Sequence, residues 1–150
     1  MKPLVDRNPN VEFNGEIDEH AKAAFLGNAR GLLFPVDWPE PFGLVMIEAM
    51  ACGTPVIAFR RGAVPEIVEN GVSGFVVESV EQAATAVLRL DSVDRAQVRR
   101  CLEHRFTVER MAAAYLAIYR ALAGVRLRAA HLRRLQDAHL SLHAVAQSTL

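Results

Sequence analysis

Two glutamates eight residues apart, Glu40 and Glu48, are the side chains of this sequence best suited to chemistry. Glu40 lies in a loop between two prolines, which favour an extended backbone. Glu48 is the only charged residue of the apolar segment 42–52, which the sequence predicts to be a helix. A helix that is apolar on all sides is buried, so we expect Glu48 to be buried and to accept hydrogen bonds.

The sequence leaves two kinds of hydrogen-bond donor open for Glu48. One is a lysine or arginine of the chain itself, and the other is a hydroxyl group of a bound ligand. The residues before Glu48 favour a ligand, because Gly43 allows close approach and the free N–H groups at a helix start suit a phosphate. At about 1.5 Å per residue, Glu48 lies roughly 7–8 Å along the helix from Gly43. A diphosphate between two hydroxylated rings fits this layout. For Glu40, a surface acid near a helix N-terminus is the alternative.

Short apolar segments alternate with helical patterns in the first ninety residues. We predict strands at residues 11–17, 32–36, 56–59 and 74–77, and helices at residues 19–28, 42–52, 66–69, 80–90, 93–103 and 108–122. Asp18, Ser79 and Thr107 are placed to cap three of these helices. The alternation predicts an α/β fold with a Rossmann-like parallel sheet, incomplete at about four strands and followed by C-terminal helices.

The stretch from Glu40 to Ala58, EPFGLVMIEAMACGTPVIA, resembles the Glu-x7-Glu signature of family 4 glycosyltransferases. These are retaining enzymes with the two-domain GT-B fold. The resemblance continues through GAVPEIV at residues 62–68 and NGVSGFVV at residues 70–77. VEFNGEI at residues 11–17 and LLFP at residues 32–35 support it upstream, so that it covers about residues 8–122.

The resemblance implies a role for each residue of the signature. Glu40 is expected to be the catalytic-site acid that contacts hydroxyls of the donor sugar, and Glu48 to bind the ribose of the nucleotide. The backbone amides expected to meet the sugar and the diphosphate are those of Phe42, Gly43, Leu44 and Val45. The implied reaction moves a hexose from a nucleoside diphosphate to an acceptor hydroxyl with retention, without a metal or another cofactor. The sequence has no cluster of acids resembling a divalent-ion cage.

The sequence departs from the family pattern on its N-terminal side. The family places a Gly-rich turn there, with an arginine and a lysine that neutralise the diphosphate. Lys2 and Lys22 are the only lysines of the chain, and neither lies in such a turn. Residues 1–123 are therefore interpreted as part of a donor-binding domain, with the N-terminal, acceptor-binding half missing. Without the preorganised cations, we expect the chain alone to transfer sugar poorly or not at all. The base, the hexose and the acceptor stay unknown.

Residues 124–150 lie outside the resemblance and carry a basic amphipathic pattern. Such a helix binds a membrane surface peripherally or binds a partner chain, and a solvated terminal helix is the alternative. The arginines of this tail are Arg126, Arg128, Arg133 and Arg134. A second hypothesis follows for the whole chain: a non-catalytic nucleotide-sugar-binding or assembly module that uses the tail to find its partner. In the preceding helix, an apolar face predicts core packing for Tyr115, Leu116, Ile118 and Tyr119.

Composition argues against other classes of protein. Lys plus Arg equal Asp plus Glu at 17 each, so net charge gives no reason to expect a nucleic-acid partner. The sequence has neither an apolar run of about 18–20 residues nor a signal-peptide start, and we expect a cytoplasmic protein.

Cys52 and Cys101 are expected to be buried thiols. Near Glu40, Trp38 is either a packing anchor or a stacking platform, and Asp37 is either a turn acid or a donor contact.

Overall fold

The computed structural model of the chain describes residues 8–124 and residue 126. The chain divides into two compact units after Phe106. The first unit holds a three-stranded parallel sheet with the strand order β1-β2-β3 and helices packed on it. In the second unit, residues 108–124 are helical. The predicted α/β class and the parallel sheet are confirmed.

The first unit follows the predicted alternation of strands and helices. In chain order its elements are α1 (Glu19–Asn28), β1 (Leu32–Phe34), α2 (Leu44–Ala51), β2 (Val56–Phe59), α3 (Val64–Ile67), β3 (Gly74–Val77), α4 (Val80–Val87), a 3-10 turn (Leu90–Ser92) and α5 (Arg95–Arg105). The central strand β2 has Val56, Ile57 and Ala58 fully buried, as expected for a parallel sheet covered on both faces.

The predicted strand at residues 11–17 is wrong. These residues are irregular, and Val11 and Phe13 are exposed, Phe13 by 63%. A strand needs a neighbour to accept and donate its backbone hydrogen bonds, and no described strand lies beside this segment. The sheet therefore has three strands in the described residues, not about four.

The core lies between the sheet and the helices, and α2 is at its centre. Met46 and Met50 of α2 are completely buried, and α2 packs on both α1 and α5. Arg95, the first residue of α5, connects α5 to the C-terminal end of α1 and to Thr54. Its guanidinium donates to the carbonyls of Gly27 and Ala29 at 2.7 Å each, and to the buried Thr54 hydroxyl at 2.9 Å. These bonds satisfy acceptors at the C-terminal end of α1.

The two edges of the sheet differ. On the outer edge of β3, the Val76 amide donates to the Asn70 side chain at 3.1 Å, and the Glu78 amide donates to the Gln82 side chain at 2.9 Å. On the outer edge of β1, the register turns the backbone N–H and C=O of Leu33 away from β2. Neither group of Leu33 has a hydrogen-bond partner within the described part of the chain. The outward backbone N–H groups of Val76 and Glu78 on β3 are therefore occupied, whereas that of Leu33 on β1 is unpaired in the described part of the chain.

In the second unit, Thr107 caps the helix as predicted, because its hydroxyl accepts from the Arg110 amide at 3.3 Å. The prediction of a core face on this helix is wrong, because Tyr115, Leu116, Ile118 and Tyr119 are all exposed. The rings of Tyr115 and Tyr119 contact each other instead, with centroids 6.2 Å apart. The predicted basic tail, residues 124–150, falls outside the described residues except for residues 124 and 126. Among the helices that are described, none is both long and apolar enough to cross a membrane.

Candidate functional site

The loop between β1 and α2 carries Glu40, and its backbone is held by the loop after β2. The Ala63 amide donates to the Glu40 carbonyl at 2.9 Å. Gly62 lies so close that a Cβ there would be 2.2 Å from the same carbonyl oxygen. Asp37 accepts from the Arg61 guanidinium at 2.9 Å. These contacts fix the Glu40 loop at the carboxyl ends of two parallel strands, where open α/β sheets bind ligands.

The Glu40 side chain is partly exposed and has one engaged oxygen. The Trp38 indole N–H donates to Glu40 Oε2 at 3.2 Å, while Oε1 has no protein partner among residues 8–124. Trp38 itself is 59% exposed, so it is not a buried packing anchor. Asp37 bonds Arg61 and is a loop-fixing acid. Glu40 therefore presents a partly oriented carboxylate with one oxygen available to a ligand.

The start of α2 is shaped by Gly43. Its φ of +75° is left-handed, and a Cβ at this position would lie 2.6 Å from the Met46 side chain. The helix consequently begins at Leu44, two residues later than predicted, and Phe42 lies before it with its ring against Phe106 at 6.1 Å. The amides of residues 42–45 donate to no acceptor within the described part of the chain. Free amides at a helix N-terminus are suited to binding an anion.

The prediction that Glu48 is buried is wrong. Its side chain is 37% exposed, because one side of α2 is left uncovered and Leu44 on the same helix is 63% exposed. Of the two donors that the sequence left open, the protein donor is present. Lys22 of α1 donates to Glu48 Oε1 at 3.1 Å. Glu48 Oε2 has no protein partner among residues 8–124.

Lys22 bridges two carboxylates. Its ammonium lies 2.6 Å from Glu19 Oε1 and 3.1 Å from Glu48 Oε1. The hydrogen bond to Glu19, and to a lesser extent the one to Glu48, raises the pKa of Lys22 above its ordinary value and so favours the cation that lysine already is at neutral pH. Sequence reasoning missed this contact, as it missed the roles of Arg61 and Gly62. The partners of Lys22 and Arg61 lie 26 and 24 residues away, so no local pattern indicates them.

Two surface cavities lie elsewhere on the first unit. One, of about 360 Å³, is bounded by β3 and α4 and includes Asn70 and Arg89. The other is an apolar groove of about 280 Å³ between the sheet and α4, and it includes Leu33 and Val80. None of the predicted site residues lines either cavity. The site is thus an open surface formed by the Glu40 loop and the start of α2.

Both cysteines are free and half-buried. Burial, together with the nearby Glu69 carboxylate, raises the pKa of the Cys101 thiol. Cys101 is therefore a weak nucleophile at neutral pH, because the thiolate is the reactive form. Both cysteines pack against the core as partly buried residues, so the prediction that they are buried is wrong.

Comparison with known proteins gives a consistent match for most of the first unit. Residues 5–100 match the family described as "Glycosyl transferases group 1". The chain is 38% identical over 91 residues to a probable sucrose-phosphate synthase of Thermosipho melanesiensis, which covers 58% of this chain and 21% of that protein. It is 37% identical over 117 residues to a GDP-mannose-dependent phosphatidylinositol dimannoside mannosyltransferase of Mycobacterium tuberculosis, covering 75% of this chain and 30% of that protein.

Solved structures show the same similarity. Sucrose-phosphate synthase from Thermosynechococcus elongatus superposes with a TM-score of 0.69 at 32% identity, covering 83% of this chain and 34% of that one. Anabaena HepE in complex with UDP-glucose superposes with a TM-score of 0.65 at 27% identity, covering 77% of this chain and 35% of that one. The chain thus spans between about a fifth and a third of the length of these relatives.

Proposed function

This chain belongs to the group 1 glycosyltransferase family, and we propose that it binds a nucleoside diphosphate sugar for retaining transfer of its hexose to an acceptor hydroxyl. Within the family we assign it to the family 4 enzymes of GT-B fold, as a donor-binding, C-terminal half. The observation that carries the proposal is the set of free amides at the start of α2, with Glu40 before it and Glu48 within the helix.

Each part of this surface suits one part of the donor. The amides of residues 42–45, at the positive end of the α2 dipole, suit the diphosphate. Glu40 is assigned to hydroxyls of the transferred sugar and is the catalytic-site acid of the proposal. Glu48 is assigned to hydroxyls of the ribose. The complex of the similar HepE protein with UDP-glucose supports a donor of this class.

The exposure of Glu48 changes the physical basis of its role. A buried acid would require a hydrogen-bond donor for each charged oxygen, whereas the observed acid is partly exposed and has Lys22 on one oxygen only. The free second oxygen is a charged acceptor at the surface, and charged acceptors form short, strong bonds with hydroxyls. Donor binding by Glu48 therefore rests on this available oxygen.

Transfer is proposed to need residues outside this chain. The relatives are three to five times longer than the segment that matches. At this surface the Arg61 guanidinium is already paired with Asp37. Preorganised cations that stabilise a leaving diphosphate contribute much of the rate in such reactions. We expect the chain to bind donor and to transfer sugar only when an acceptor-binding half is supplied. Donor binding without transfer in that combination would favour the non-catalytic module instead.

Substitution of Glu48 tests donor binding. We expect Glu48→Ala to weaken donor affinity about ten- to hundredfold, the loss of hydrogen bonds to a charged group. Ligand-observed NMR would measure Kd against UDP-, GDP- and ADP-sugars, and the donor that binds the native chain most tightly would then be titrated into the variant.

Glu103→Ala is the matched control, because this exposed glutamate of α5 bonds only Arg99 among residues 8–124. Its affinity is expected to equal that of the native chain. The proposal would be contradicted by a native chain that binds none of these donors, or by equal affinities of the native chain and Glu48→Ala.

A further inference from the structure

The contact between Lys22 and Glu48 joins two helices at the proposed donor surface. Lys22 belongs to the first turn of α1, and its position there is set by the Asp18 cap. Its backbone amide donates to the Asp18 carbonyl at 2.9 Å, and its ammonium reaches Glu48 Oε1 on α2 at 3.1 Å. The Lys22 side chain is more buried than either of its carboxylate partners. One oxygen of Glu48 is thereby held and the other is left available.

We propose that Lys22 is a positioning residue for donor binding, which holds one oxygen of Glu48 so that the other meets a hydroxyl of the donor. This inference rests on the proposed function. A free glutamate side chain samples several rotamers, and a ligand that binds it must order them at a cost in affinity. A charged hydrogen bond from Lys22 orders the carboxylate before the donor arrives.

Lys22 also changes the electrostatics of the surface. A nucleoside diphosphate sugar is an anion, and a bare Glu48 carboxylate would repel it at short range. The Lys22 cation offsets part of the combined charge of Glu48 and Glu19 without removing the capacity of Glu48 to accept a hydrogen bond. Lys22 therefore weakens the repulsion that Glu48 exerts on the diphosphate.

The same arrangement is present at the other acid. Trp38 holds Oε2 of Glu40 at 3.2 Å, and Oε1 has no protein partner among residues 8–124. Each proposed donor-binding carboxylate is thus fixed through one oxygen by a neighbouring N–H group.

The test separates affinity from stability. We expect Lys22→Met to weaken binding of the donor roughly three- to tenfold, because the freed Glu48 side chain must then be ordered when the donor binds. The melting temperature is expected to be nearly unchanged. Lys22→Arg keeps the charge and the N–H donors and should bind within about twofold of the native chain. Kd would be measured with whichever of UDP-glucose, GDP-mannose or ADP-glucose binds the native chain most tightly.

A double-mutant cycle shows whether Lys22 acts through Glu48. In the Glu48→Ala background, Lys22→Met is expected to cause no further loss. Glu19→Gln is the matched control, because it removes the other partner of Lys22 and leaves Glu48 in place. Its affinity is expected to remain native. If Lys22→Met lowers the melting temperature, Lys22→Gln takes its place in the cycle.

The outcomes distinguish this inference from the proposed function. Native affinity in a folded Lys22→Met, beside a weakened Glu48→Ala, would overturn the role of Lys22 alone. A loss on Lys22→Met that persists in the Glu48→Ala background would also overturn it, since Lys22 would then act on the donor directly. A native chain that binds none of the three donors would overturn the proposed function, and the role of Lys22 with it.

Discussion

Replacement of Gly74 by alanine is expected to destabilise the first unit by more than about 4 kcal/mol, beyond the range of ordinary substitutions. Gly74 begins β3 with a φ of +156°, a conformation that residues with a side chain rarely adopt. A Cβ at this position would lie 1.9 Å from the carbonyl oxygen of Val56 and 2.7 Å from its amide nitrogen. Both atoms belong to the central strand β2, so β3 would have to move away from it.

Gly71 provides a control for the effect of backbone conformation alone. It lies in the turn before β3 with a φ of +81°, but a Cβ there would meet no atom within 4 Å. We expect Gly71→Ala to cost only the left-handed strain, about 1–2 kcal/mol. Urea unfolding followed by circular dichroism would compare the two variants with the native chain. Equal midpoints for both variants would show that the close approach of Gly74 to Val56 is not a constraint.

Arg95→Ala is expected to lower the free energy of unfolding by about 3–5 kcal/mol. The substitution removes three charged hydrogen bonds at once. It leaves the carbonyls of Gly27 and Ala29 and the hydroxyl of Thr54 without the guanidinium. Thr54 still donates to the Leu26 carbonyl at 2.7 Å, so the loss falls on the end of α1 and its contact with α5.

Arg100→Ala on the same helix is the control for the loss of an arginine. Arg100 makes an exposed contact of 3.4 Å with Asp94, and such pairs contribute about 0–1 kcal/mol. Thermal unfolding of the two variants under the same conditions would measure the difference. A similar loss for both would mean that the Arg95 bonds are no stronger than a surface ion pair.

The elements that local signals define were predicted well from the sequence. Residues 19–28 form α1 as predicted, and Asp18 caps it by accepting from the Ala21 amide at 2.8 Å. The strands at residues 56–59 and 74–77 also have the predicted bounds. Caps, glycines and short apolar runs act within a few residues of the chain, and the sequence displays them directly.

Features that depend on neighbours distant in the chain could not be predicted in this way. The apolar composition of α2 suggested burial on all sides, but packing leaves Glu48 and Leu44 partly uncovered. The alternating pattern of residues 11–17 is typical of a strand, yet a strand forms only beside another. The closeness of Gly62 to Glu40 likewise results from the juxtaposition of two loops. The roles of the donor-site residues remain predictions.

The contrast between the two sheet edges determines how this domain can be extended. Asn70 and Gln82 occupy the backbone donors along the outside of β3, so an added polypeptide would have to displace them to pair there. Beyond β1, the unpaired N–H and C=O of Leu33 lie next to an apolar groove that includes the same residue. A further strand can therefore pair with the sheet more readily at β1 than at β3, and an engineered strand that complements the sheet should be designed for the β1 edge.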